Sequence, residues 1–70
     1  MKRVLSNMAG VVLEFLVKPD EQIAVDQDVV LIESMKMQIP IQSTVNGTVK
    51  AIKVNEGDFV DEGDVLLEVE

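Results

Sequence analysis

The second half of this 70-residue chain repeats the first, 37 residues on and without a gap. Gly10 matches Gly47, Val12 matches Val49, Phe15 matches Ile52 and Val17 matches Val54. The register carries on through Glu21 and Asp58, Ile23 and Val60, and Asp26 and Gly63. It ends with Val29-Val30 against Leu66-Leu67, Ile32 against Val69 and Glu33 against Glu70. Apolar positions and turn residues keep step together, which a chance likeness of short apolar runs does not do. The reading is one domain over residues 1–70 built from two copies, about 4–33 and 41–70. Seventy residues lie near the lower limit for a self-sufficient core, and neither copy has the apolar surface to bury alone.

Each copy reads as short strands between turn signals. Val11 to Val17 is rich in β-branched residues and closes at Lys18-Pro19, because Pro19 has no N–H for a ladder. Ile23 to Val25, Val29 to Ile32, Thr48 to Val54, Phe59-Val60 and Val65 to Val69 follow the same pattern. Gln38 to Ser43 is a further strand, placed at an edge by Pro40. Asn46-Gly47, Asn55 to Asp58 and Asp61 to Asp64 read as turns. No window holds an i, i+3, i+4 stripe with caps, so essentially no helix is expected and the class is a small all-β sandwich or barrel. Val12 and Phe15 stand three apart, as do Val49 and Ile52, and positions three apart share a face only across a bulge or a bend, so a strand that bends as it wraps the sandwich is expected in both copies.

The chain has no Cys, His, Trp or Tyr. It therefore lacks a disulfide framework, a thiolate nucleophile, and the commonest general base and metal ligand. A net charge of −7 argues against nucleic acid or an anionic membrane as partner. Met1-Lys2-Arg3 is basic, but Ser6-Asn7 and Gly10 break the apolar residues after it, so no signal-peptide core is read there. No apolar run reaches the length of a membrane span. The expectation is a soluble, cytoplasmic, free-standing protein, monomeric in isolation. Glu56, Asp58, Asp61, Glu62 and Asp64 lack the spacing of a calcium loop and read as solvated turns that steer a basic partner.

The symmetry breaks at one place. The second copy stops at Glu70, the counterpart of Glu33, so Ser34-Met35-Lys36 has no match. Apolar runs lead into Glu33-Ser34-Met35-Lys36-Met37-Gln38 and out of it, which reads as a hairpin with Lys36 at its tip and its amine in water. Met35 and Met37 either offer flexible apolar contacts to several partners or fill a corner of the core.

Glu33-Ser34-Met35-Lys36-Met37 is similar to the Glu-(Ala/Ser)-Met-Lys-Met signature of biotinyl domains. Met8-x-Gly10, Gly57-Asp58-x-Val60 and Gly63-Asp64-x-Leu66 resemble the rest of the biotinyl/lipoyl attachment pattern, so the likeness runs from about Val4 to Glu70. It departs at Asp20-Glu21, where the family usually has Gly-Asp, at Asp26, where it usually has Gly, and at Ser6-Asn7, where it has Ala-Pro. Asp tolerates a left-handed backbone better than most residues. Between Val17 and Ile23 there is no room for the protruding thumb of some acetyl-CoA carboxylase carriers.

The resemblance implies a flattened barrel of two four-stranded antiparallel sheets with pseudo-two-fold symmetry. It implies biotin in amide linkage to Lys36, attached by a biotin protein ligase, with Met35, Met37, Glu33 and Ser34 as flanking recognition residues. The loaded domain, itself without activity, would carry a carboxyl group between a biotin carboxylase and a carboxyltransferase. An ordinary lysine amine titrates at about 10.4 and is a poor nucleophile at neutral pH, so activation falls to the ligase. Two alternatives stay open: a lipoyl carrier of the same fold, whose tip usually reads Asp-Lys-(Ala/Val), and an unmodified barrel serving as an interaction module.

Overall fold

Val and Ile supply eleven of the thirteen apolar residues in the buried core, and their stiff, branched side chains favour strand over helix. The computed structural model, which describes residues 1–70, accordingly holds eight strands and no helix. The strands are β1 (Lys2–Leu5), β2 (Gly10–Phe15), β3 (Gln22–Ile23), β4 (Asp28–Ser34), β5 (Met37–Gln42), β6 (Gly47–Ile52), β7 (Phe59–Val60) and β8 (Val65–Val69). They pair antiparallel in two four-stranded sheets, ordered β1-β8-β6-β3 and β5-β4-β2-β7. The molecule is elongated, 31 × 19 × 18 Å.

Each sheet mixes the halves of the chain. β1 and β3 complete a sheet begun by β6 and β8, while β5 and β7 flank β4 and β2. The core is mixed in the same way: Val4 and Ile41, Val12 and Val49, Ile23 and Val60, and Ile32 and Val69 are all buried. A half on its own would leave every one of its strands short of a neighbour.

Bulges recur 37 residues apart. The ladder slips at Leu13 on β2 and at Lys50 on β6, which reconciles the three-residue spacings of Val12 to Phe15 and Val49 to Ile52 with one inward face. A second pair falls at Val29 on β4 and Leu66 on β8. There the extra residue turns two neighbours inward in succession, and Val29, Val30, Leu66 and Leu67 are all 0% exposed. Pro40 lies on β5, an edge strand, as its missing N–H requires.

Four tight turns share one design. In Lys18–Glu21, Ala24–Gln27, Asn55–Asp58 and Asp61–Asp64 the fourth N–H donates to the first carbonyl at 3.1 Å. The third residue is left-handed: Asp20 (φ 72°), Asp26 (φ 71°), Gly57 (φ 93°) and Gly63 (φ 94°). The fourth side chain reaches back to accept the first N–H, from Glu21, Gln27, Asp58 and Asp64 respectively, at 2.8–3.1 Å. Asp58 and Asp64, expected as solvated turn residues, thus also staple their own turns. Ser6 and Ser43, both buried, bond their hydroxyls to the carbonyls of Met8 and Val45 at 2.6 Å. No buried side-chain polar atom is left without a partner.

Three expectations are corrected. The tight turn at Asn46-Gly47 is absent: the chain bends at Thr44-Val45, and Gly47 opens β6 opposite Ile23. Its glycine is needed for space, since a Cβ there would run into the Glu70 carbonyl and the Val69 side chain. Asn46 instead ties segments together, accepting the Val25 N–H on Oδ1 at 2.9 Å and the Lys2 ammonium on its carbonyl. The strands expected to run to Val17 and Val54 end at Phe15 and Ile52, because Leu16 and Lys53 bond across to Val29 and Leu66 at the bulges. The piece expected over Ile23 to Val25 is only Gln22–Ile23, since Ala24 already starts a turn.

Candidate functional site: the β4–β5 hairpin

β4 and β5 are held in one register by their buried positions. Ile32 opposes Ile39, Val30 opposes Ile41, and Ile32, Val30 and Ile41 are at most 1% exposed. A slip of one residue would turn these side chains to water and bring polar ones in. The register therefore continues through Glu33 opposite Gln38 and Ser34 opposite Met37, leaving two residues, Met35 and Lys36, to close the hairpin.

A two-residue link between twisted antiparallel strands adopts a primed turn, with positive φ at both central residues in type I′. Met35 (φ 53°) and Lys36 (φ 64°) both sit there. The usual occupants are Asn-Gly, and a residue with a Cβ in this region costs on the order of 1–2 kcal/mol. Strain of this kind persists only where the flanking structure over-determines the backbone, as the β4–β5 ladder does.

The result is a rigid base under an unobstructed amine. Lys36 is exposed, and its Nζ makes no hydrogen bond or ion pair; the lysines that do are Lys2, Lys50 and Lys53. Met35 is 92% exposed and Met37 62%, so neither fills the core and both are free to meet a partner. Ser34 is half-buried and closes the loop with Met37, whereas Glu33 lies one pair below the tip on the outer face. The structure thus gathers Ser34, Met35, Lys36 and Met37 at the tip and sets Glu33 beneath them. No cavity lies beside them or elsewhere on the molecule.

Two features near the tip escape the sequence argument. Gly10 lets β2 pass against the base of the hairpin: a Cβ there would lie 2.5 Å from both the Glu33 carbonyl oxygen and Ile32 Cγ2. The matching of Gly10 with Gly47 was the available signal, because a glycine repeated at one place in two copies marks a backbone requirement. The second feature is a row of paired residues, Phe59–Val11–Glu33–Gln38, that crosses all four strands just below the tip.

The tip thus presents one exposed primary amine, a group that can be acylated. The family model described as a biotin-requiring enzyme, of the biotin/lipoyl type, matches residues 2–69. The chain is 53% identical over 63 residues to the biotin/lipoyl attachment protein of Bacillus subtilis, covering 90% of this chain and 86% of that protein. It is 45% identical to 9% of the human mitochondrial propionyl-CoA carboxylase alpha chain. It is also 42% identical to 12% of the dihydrolipoyllysine-residue acetyltransferase component of the Pseudomonas aeruginosa pyruvate dehydrogenase complex. In fold it resembles 6% of the Kluyveromyces lactis urea carboxylase chain, with a TM-score of 0.90 over 99% of this chain at 23% identity.

Proposed function

Because the chain belongs to the biotin/lipoyl attachment family, whose domains carry a prosthetic group and are not catalytic, we propose that it is a biotin carrier with Lys36 as its attachment residue. The observation that carries the reading is the tip itself: an exposed, unpaired lysine amine between two exposed methionines on a turn whose strain the fold holds in place. The donor chemistry fits, since an amide needs one free primary amine and nothing else from the chain.

In the attachment step, the Lys36 amine, deprotonated in the active site of a biotin protein ligase, bonds to the activated carboxyl carbon of biotin. The bond to the activating group breaks and one proton is released. The hairpin contributes position, holding the amine at a fixed distance from the strands and so lowering the entropy lost on alignment. Met35 and Met37 contribute adaptable apolar contact to whichever enzyme covers the tip. Once attached, biotin supplies the capacity to hold a transferable carboxyl group between a biotin carboxylase and a carboxyltransferase. Tethering raises its local concentration at a partner site to about millimolar. The likeness to the propionyl-CoA carboxylase alpha chain supports these partners.

Lipoate at the same lysine is the second reading, supported by the likeness to the dihydrolipoyllysine-residue acetyltransferase component. The Met on each side of Lys36 favours biotin, since lipoyl tips resemble Asp-Lys-(Ala/Val). The deciding experiment is intact mass spectrometry of the protein after incubation with ATP, biotin and a biotin protein ligase, with lipoate and a lipoate ligase in parallel. The expected result is a biotin-sized gain that maps to Lys36. A lipoyl-sized gain alone transfers the protein to the second reading, and no gain in either reaction overturns both.

A further inference from the structure

At five equivalent positions on their outer faces the two sheets carry opposite chemistry, while at one further pair the contrast reverses, Leu5 opposite Val65 against Gln42 opposite Asp28. Across the sheet that carries Lys36, Phe59 pairs with Val11, Val11 with Glu33, and Leu31 with Pro40, while the bulge residue Leu13 lies alongside. Shifted by 37 residues, the other sheet presents Gln22 for Phe59, Thr48 for Val11, Lys50 for Leu13, Glu68 for Leu31 and Arg3 for Pro40. Its face is laced with ion pairs, Lys50 to Glu70 at 3.4 Å and Lys53 to Glu68 at 3.9 Å. All ten residues are exposed or half-buried, none is in the core, and Phe59 is 66% exposed.

The polar sheet is an internal control. It shows that this backbone holds its pairing with Gln, Thr, Lys, Glu and Arg at those five positions. The fold therefore does not require the apolar set on the other sheet, and contiguous apolar surface kept without a folding reason marks a contact site. An exposed aromatic near the centre of such a face is the usual anchor of one.

The position of the patch identifies the occupant. Phe59 and Val11 share a cross-strand row with Glu33 and Gln38, the pair directly below the one that closes the tip. An enzyme that acylates Lys36 must bring its reacting carbon to about 3 Å from an amine only one lysine side chain from the turn. Such an enzyme has to lie against the surface around the tip. Enzymes acting later meet the far end of the attached arm and have no such obligation. We propose that the ligase acting on Lys36 docks on the outer face of the β5-β4-β2-β7 sheet, with Phe59 as anchor and a basic rim of the ligase facing Glu33 and Glu14. The −7 charge of the chain suits a basic partner surface. This inference rests on the attachment reading above.

The test takes its substitutions from the other sheet, whose residues this backbone already accepts: Phe59→Gln, and Phe59→Gln with Leu31→Glu. On the opposite face, Gln22→Ala with Thr48→Ala serves as control. Steady-state incorporation of biotin by the ligase is measured against carrier concentration, with circular dichroism to verify folding and an amine-reactive biotin ester to verify that Lys36 is equally reachable. The expected result is a KM for the carrier raised about tenfold by Phe59→Gln, and further by the double variant, with kcat unchanged. The control pair should leave both constants alone. Wild-type KM in both folded Phe59 variants overturns the docking site while leaving attachment standing. If sedimentation shows that wild type forms a dimer that Phe59→Gln dissolves, the face belongs to a second copy and the proposal falls. A wild-type chain that no ligase modifies fails at the attachment reading instead.

Discussion

Left-handed backbone occurs in this molecule for two different reasons. At Asp20 and Asp26 it is matched 37 residues on by Gly57 and Gly63, so the same conformation is reached twice with different side chains. The fold demands it there: each of these turns must reverse the chain between strands of opposite sheets. At Met35 and Lys36 it comes from closing β4 onto β5 within one sheet in two residues. That turn suits Asn-Gly, yet a methionine and a lysine occupy it. The turn is required by the register but these side chains are not, and residues ill-suited to their backbone point to function.

The comparison can be broken most forcefully at two glycines, Gly47 and Gly57. Gly47→Ala should cost at least about 3 kcal/mol in a urea melt, enough to unfold a domain this small, because the added Cβ meets backbone at Glu70. Gly57→Ala, where nothing lies within 4 Å, should lose only about 1–2 kcal/mol from its φ. Equal losses would mean that close approach is not what Gly47 provides. Next comes Val49→Ala, at 0% exposed, with about 1–4 kcal/mol expected from thermal unfolding. A neutral result there would undo the shared core.

The sharpest version replaces the tip with residues that suit it. Met35→Asn combined with Lys36→Gly should raise stability by about 1–2 kcal/mol, because Asn-Gly fits a type I′ turn, and should abolish biotin incorporation. If the double variant is less stable, the tip residues are structural. Lys36→Ala alone should remove attachment and change stability by no more than about 0.5 kcal/mol. A larger loss would show that Lys36 holds the hairpin together.

The strands, the bulges and the hairpin were legible because each leaves a mark in local spacing. Val12 to Phe15 betrays the slip at Leu13, Pro40 announces an edge, and the unmatched Ser34-Met35-Lys36 announces a tip. What spacing cannot express is which strand lies beside which. Alternation assigns a face but no neighbour, so the exchange of strands between the halves is visible only in the folded chain. The same limit explains Asn46-Gly47, whose glycine answers to Glu70, far away in sequence. It also hid the outer patch. The spacing of Val12 to Phe15 turns Val11 outward, but only the pairing shows that it stands between Phe59 and Glu33.

The place of β8 has a consequence for how the protein is made. β8, the latest-made of the eight strands, is not an edge strand; it lies between β1 and β6 and is the sole partner of β1. Until Val65–Val69 has been synthesised, the first strand has nothing to pair with, and Leu66, Leu67 and Val69 are missing from the core. Folding waits for Val65–Val69, as contacts this distant in sequence dictate. A nascent chain thus exposes its Met-Lys-Met segment long before there is a barrel to display it. Any enzyme that reads the finished surface as well as the lysine will pass over such unfinished chains.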